Sequence, residues 1–173
     1  MNATRGFSLA ELMTTLAVAA IGIAIAVPGF RAVQDRMRSD ATFHTLTASL
    51  AMARATAITR RTPVTVCPSS DGRRCNKTVE WEHGWIVYLD PRKEESPRTP
   101  EQVIRVLTPP RKMLIRASTG RYRVRYQVNG LASGTNLSLR VCPVPGGALV
   151  GSVVVSNTGR ARHEVAKKPI ACP

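Results

Sequence analysis

The sequence predicts an α+β fold: one long N-terminal helix, apolar in its first half and amphipathic in its second, laid against a β-sheet domain. Three observations predict it. Across residues 7–27 the only charged side chain is Glu11, and at about 1.5 Å per residue that run is roughly 30 Å long, enough to cross a bilayer. Beyond Pro28 the apolar residues Phe43, Leu46, Leu50, Ala53 and Ala57 recur at spacings of 3, 4, 3 and 4, which is one face of a helix. After Pro63 the pattern changes to short β-branched or alternating runs separated by turn signals.

The elements follow in order. One helix is expected from about residue 8 to residue 60, kinked or locally melted near Pro28, because proline lacks an N–H and crowds the preceding turn. Arg31, Arg36, Arg38, Asp40, Arg54 and Arg60 fall mostly off its apolar face, which should lie in the groove of the sheet. Strands are expected over residues 63–67, 84–89, 102–107, 113–116, 122–128, 137–142 and 148–156. Asp71-Gly72, Asp90-Pro91, Pro109-Pro110, Asn129-Gly130 and Pro145-Gly146-Gly147 divide them. Residues 91–101, rich in Pro, Lys, Arg and Glu, read as a mobile loop without a core. Trp81 and Trp85 are assigned to packing and not to a binding platform.

The N-terminal residues Arg5-Gly6-Phe7-Ser8-Leu9-Ala10-Glu11-Leu12 resemble the class III signal of type IV pilins and pseudopilins. The resemblance implies that a prepilin peptidase cuts after Gly6, that the new amine of Phe7 is methylated, and that Glu11 neutralises the Phe7 amine of a neighbouring subunit during assembly. Physical chemistry agrees, because a carboxylate in hydrocarbon costs a few kcal/mol unless a cation meets it. A secretory signal peptide would carry a shorter apolar region and then a small-residue cleavage site. The fold implied is the type IV pilin fold, in which the second half of the helix packs on an antiparallel sheet. Residues 1–6 are then a leader, 7–30 a transmembrane and filament-core half-helix, and 31–173 the headgroup. The run Trp81-Glu82-His83-Gly84-Trp85-Ile86-Val87-Tyr88-Leu89-Asp90 resembles the Gly-Trp strand of the GspH/FimT branch. Ala53-Arg54-Ala55-Thr56-Ala57-Ile58 leading into Pro63-Val64-Thr65-Val66 extends that likeness over most of the chain. The implied location is a single pass of the inner membrane with a periplasmic headgroup, then the surface pilus of a Gram-negative bacterium. Implied partners are other major and minor pilins, the peptidase and the membrane before assembly.

Four cysteines in an exported chain suggest two disulfides, and three pairings are open. Cys67 with Cys75 would close a short loop, whereas Cys142 with Cys172 would staple the tail to a strand. Metal ligation is not expected, since no C-x-x-C pair occurs and His44, His83 and His163 lie in separate elements. Neither a cofactor nor catalysis is expected, because nucleophile motifs and phosphate-cradling glycine loops are missing. Glu80 and Glu82 read as a solvated strand edge, and His163 beside Glu164 as a surface residue.

Charge carries the functional expectation. The chain holds 25 Lys plus Arg against 11 Asp plus Glu, a formal charge of +14, which favours an anionic partner. From residue 102 onward there are twelve Lys plus Arg and one acidic residue, Glu164. Arg121, Arg123 and Arg125 alternate, so they are expected on one side of a strand, a row that repels itself unless an anion or carboxylates lie opposite. The segment Gly159-Arg160-Ala161-Arg162 resembles the Gly-Arg-x-Arg DNA-binding signature of FimT-type minor pilins, which capture DNA for natural transformation. It implies a turn at Gly159 and phosphate contacts from Arg160 and Arg162; Lys167 and Lys168 join on charge and proximity. The expected partner is double-stranded DNA, bound without sequence preference. Two other expectations stand beside it: a structural minor pilin that primes or caps a pilus, and a minor pseudopilin of a type II secretion system.

Overall fold

In the computed structural model of the chain, residues 8–144, 147–168 and 170–172 are described, and they belong to two compact units, residues 1–37 and 38–173. The expected cleavage point at Gly6 and Phe7 lies outside the described residues. Helix α1 spans Leu9–Thr59.

In the first unit every residue from 8 to 33 is exposed, including Leu12, Leu16, Ile21, Ile23 and Ile25. A helix apolar all round needs cover from lipid or from other helices. The hydroxyls of Thr14 and Thr15 donate to the carbonyls of Glu11 and Leu12 at 3.0 and 2.9 Å, so the helix backbone satisfies both, while the Glu11 carboxylate stays exposed. The helix runs unbroken through Pro28, so the expectation of local melting there is corrected. Proline removes only its own N–H, and the remaining ladder holds the turn.

The second unit contains the core. From residue 38 onward α1 buries Ser39, Thr42, Phe43, Leu46, Ser49, Leu50, Ala53 and Ala57 in one stripe, matching the expected apolar spacing. Two of its buried hydroxyls bond within the helix: Thr42 donates to the Arg38 carbonyl at 2.8 Å and Ser49 to the Leu46 carbonyl at 2.8 Å. Ser49 Oγ also accepts the indole N–H of Trp85 at 3.0 Å, so a fully buried tryptophan finds its acceptor on the helix.

The strands are β1 (Val64–Pro68), β2 (Trp85–Leu89), β3 (Val103–Leu107), β4 (Met113–Ala117), β5 (Val124–Tyr126), β6 (Leu137–Pro143), β7 (Gly151–Val155) and β8 (Ala161–Val165). They form two four-stranded antiparallel sheets, ordered β3-β2-β1-β5 and β4-β6-β7-β8, where one sheet was expected. Pro109-Pro110, two residues without an N–H, separate β3 of the first sheet from β4 of the second, and the chain returns to the first sheet at β5. Trp81 and Trp85 are fully buried, as packing residues, with ring centroids 6.2 Å apart.

Three expectations change. The segment 122–128 pairs only over Val124–Tyr126, so Arg121 and Arg123 lie outside the strand. The tail, read as a turn with a basic extension, forms β8 along the edge of the second sheet. Residues 91–101 are fastened: Glu94 N–H donates to Asp90 Oδ1 at 2.6 Å, the Glu94 carbonyl accepts from Tyr88 and Arg125, and Ser96 Oγ accepts from Cys75 N–H at 2.9 Å.

The disulfides are Cys67–Cys75 and Cys142–Cys172. The second closes 30 residues, and a loop of that length removes about 3.6 kcal/mol of chain entropy from the unfolded state. It holds the tail beside β6, where Leu149 N–H also donates to the Ile170 carbonyl at 2.9 Å.

Candidate nucleic-acid interface

The turn joining β7 to β8 is built around Gly159, whose φ is +77°. Gly159 N–H donates to the Ser156 carbonyl at 2.9 Å, and Ser156 N–H to the Arg160 carbonyl at 3.1 Å, which closes the turn and starts the β8 register. Glycine is required there twice. Its positive φ strains any other L residue, and a Cβ would overlap the carbonyl oxygen of Gly130. The Asn129-Gly130 turn therefore packs directly against the Gly159 turn, and Ala132 N–H donates to the Asn157 carbonyl at 2.9 Å to lock the two together.

Register decides where the arginines go. β8 pairs with β7 so that Val153 faces His163 and Val154 faces Arg162. His163 lies on the core side, stacked on Phe43 of α1 with centroids 3.8 Å apart; the surface assignment is refined, since the ring is exposed but packed. Arg162 and Glu164 lie on the opposite face, whereas Arg160 precedes the strand and borders α1 beside the Gly159 turn. Arg160, Arg162, Lys167 and Lys168 are all exposed. Arg162 Nε donates to Glu164 Oε1 at 2.8 Å, with the two side chains 62% and 47% exposed. A pair that open to water contributes about 0–1 kcal/mol, so a phosphate can displace it.

The other three arginines are engaged elsewhere, on the β5 edge of the first sheet. Arg125 Nε donates to Asp90 Oδ2 at 2.8 Å, in a pair whose side chains are 14% and 2% exposed, and its Nη2 donates to the Glu94 carbonyl at 2.6 Å. Thr65 Oγ1 completes the cluster by donating to Asp90 Oδ2 at 2.7 Å. Arg123 Nη1 reaches the same Glu94 carbonyl at 3.5 Å and the guanidinium lies 5.2 Å from the Tyr122 ring centroid. Arg121 donates to the Gly134 carbonyl. The expectation that these three form one row on a strand is thus corrected: only Arg125 is in β5, and a carboxylate does lie against it, from inside the protein. Burial next to this cluster pushes the Tyr88 phenol up to about 12, burial being the largest cause and the Asp90 charge the next.

Glu80 and Glu82, read as a solvated edge, instead converge on Arg116 of β4, with Arg116 Nη2 3.4 Å from Glu80 Oε1 and Nη1 on Glu82 Oε1. Ligand atoms of Glu80, Glu82 and His83 lie within 4.8 Å of one another, but the guanidinium already supplies their positive charge.

Two basic residues near the tail went unassigned in the sequence. Arg140 of β6 is exposed, and its place opposite Ser152, which is itself opposite Glu164, puts it on the face of Arg162. The alternation of Leu137, Leu139 and Val141 carried that signal. Arg54 borders the Gly159 turn from α1, and nothing in linear sequence connects residue 54 with residue 159.

Comparison with known proteins agrees with this architecture. Residues 42–159 match the family described as Type II transport protein GspH, and residues 1–27 match the prokaryotic N-terminal methylation motif. The family match ends at Gly159, one residue before Arg160. No curated protein sequence matches the chain. Among solved structures, two crystal forms of the Pseudomonas aeruginosa type IV minor pilin FimU superpose with TM-scores of 0.59 and 0.54. Each is 16% identical, and the matches cover 81% and 77% of this chain and 96% of FimU in both cases. The N-terminal motif implies processing by a prepilin peptidase and pilin partners, and the apolar helix accords with a membrane-anchored pilin that is later assembled. With a GspH match over 118 of its 173 residues, a methylation motif at its start and the type IV pilin fold, the chain belongs to the GspH family of pilin-like proteins.

Proposed function

We propose that this chain is a minor type IV pilin that binds extracellular double-stranded DNA, without sequence preference, for uptake in natural transformation. The observation that carries the reading is the exposed β8 edge. Arg160 and Arg162 follow the Gly159 turn, both exposed, Lys167 and Lys168 come next, and Glu164 is the single acidic residue of the region. The guanidinium forks contact phosphate oxygens and displace counterions, so log K falls against log salt with a slope near −0.9 per phosphate neutralised. Glu11, assigned to pairing with the Phe7 amine of a neighbouring subunit, places the headgroup on a filament, and retraction draws bound DNA inward. The reading contains no catalytic step and no cofactor. Arg125 is removed from the DNA-contact set because Asp90 and Glu94 hold it; Arg121 and Arg123 are secondary for the same kind of reason.

The second reading, a minor pseudopilin of a type II secretion system, is favoured by the family match; a role in priming or capping a pilus is of the same structural class. A charge of +14 argues for a polyanion over a purely protein partner. The deciding experiment uses the full-length chain in detergent micelles with labelled duplex DNA across a salt series. Salt-sensitive binding that is lost on Arg160→Gln with Arg162→Gln supports DNA capture. No binding, or binding that ignores the double substitution, overturns it. In a deletion strain complemented with the double variant, normal piliation with lost transformation supports capture, whereas lost piliation supports priming.

A further inference from the structure

A groove runs between the second half of α1 and the Gly159 turn, lined by Thr47, Ala51, Arg54, Ile58, Gly159 and Arg160. The helix and the two glycine turns meet there. Arg54 Nε lies 3.1 Å from the place a Cβ on Gly130 would occupy, and the Gly130 carbonyl is the atom a Cβ on Gly159 would overlap. Tyr126, fully buried, closes the same spot from below, its Cε1 3.3 Å from the Cβ position of Gly159. Two glycines thus bring three segments far apart in sequence to one point, leaving a trough with a cation on either side.

Arg54 is the unusual member. Its Nε is buried without a hydrogen-bond partner, and no carboxylate pairs with it among the described residues. A guanidinium donor withdrawn from water is costly unless an acceptor completes it. Other half-buried arginines in this fold are completed internally, Arg116 by two glutamates and Arg125 by Asp90. Arg54 alone of the three faces a groove with no anion of the protein's own.

We infer that this groove is a phosphate-binding cleft, in which Arg54 from the helix and Arg160 from the turn hold the backbone of duplex DNA from two sides. The inference rests on the DNA-binding reading and extends its site from one strand edge to a cleft with a helical wall. It also gives the Gly130–Gly159 contact a purpose beyond closing a turn, because that contact sets the width between the two arginines.

The test measures binding of fluorescent duplex DNA to the full-length chain in detergent across a salt series. Arg54→Gln is expected to weaken binding about 5- to 10-fold and to reduce the salt slope by about one. Arg54→Lys, which keeps the charge but not the fork, is expected to recover the slope and part of the affinity. An unchanged melting temperature shows that each variant is folded, and the Lys variant carries the test if the Gln variant is not. Arg54→Gln with wild-type affinity and slope, while Arg160→Gln with Arg162→Gln loses binding, overturns the cleft and leaves the DNA reading standing. Failure of the wild-type chain to bind overturns both. Displacement of the duplex by a modest excess of inorganic phosphate overturns the duplex as occupant in favour of a free anion.

Discussion

Replacing Arg125 by Met separates a structural arginine from a nucleic-acid arginine. Arg125 Nε sits 2.8 Å from Asp90 Oδ2, and the Asp90 side chain is only 2% exposed. Removing one partner of a buried ion pair costs about 3–5 kcal/mol, because the remaining charge stays desolvated. Asp90 keeps donors from Thr65 Oγ1 at 2.7 Å and Glu94 N–H at 2.6 Å, which favours the lower end of that range. The Arg125 Nη2 bond to the Glu94 carbonyl, at 2.6 Å, adds about 1 kcal/mol more. The total is about 4 kcal/mol. The unit from residue 38 to residue 173 has 173 − 37 = 136 residues, and about 2.1 cal/mol/K per residue gives an unfolding entropy of about 0.29 kcal/mol/K. The melting temperature should therefore fall by about 14 °C. Thermal unfolding of the full-length chain followed by circular dichroism reads this directly, and DNA binding by the folded variant should be unchanged. Adding Asp90→Asn removes the stranded charge and should restore about half of the loss. A fall of less than about 3 °C accompanied by a tenfold loss of DNA affinity would refute the reasoning and return Arg125 to the DNA surface.

Other predictions concern the tail and the core. Glu164→Gln frees Arg162 from an exposed pair of about 0.2–1 kcal/mol, so DNA affinity should rise about 1.5- to 5-fold with little change in stability; an unchanged or lower affinity would argue against Arg162 as a contact. Gly159→Ala combines positive-φ strain with overlap on the Gly130 carbonyl and should cost about 3 kcal/mol, read as a lower denaturant midpoint and weaker DNA binding together. The Tyr88 phenol is held to about 12, above its ordinary 10.0, because burial disfavours the phenolate. Its contribution to stability is thus fully present below about pH 10 and lost as pH rises toward 12, so Tyr88→Phe should flatten the alkaline decline in denaturant midpoint over that window.

The long helix was legible because its signals are local. An apolar run of bilayer length and a 3, 4, 3, 4 stripe are properties of neighbouring residues, and the ends came within one residue of Leu9–Thr59. Strands β1, β2, β4 and β6 were legible for a similar reason, through β-branched alternation between turn residues. β8 was not, since Ala161-Arg162-His163-Glu164-Val165 has little strand propensity of its own and becomes a strand by pairing with β7.

The same division runs through the candidate site. By itself the sequence determined the N-terminal signal, the basic tail, the Gly-Arg-x-Arg motif and the need for a turn at Gly159, because each depends on residues adjacent in the chain. Only the tertiary structure decided which arginines are free. Arg125 and Arg162 look alike in sequence, yet Asp90 reaches the first from 35 residues away while the second stays at an open edge with a weak partner two residues on. Arg54 entered the site only when two glycines let the backbones of residues 130 and 159 touch beside it. The physical reason is that a charge is available to a ligand only where the fold leaves it uncompensated, and compensation comes from groups that are distant in sequence.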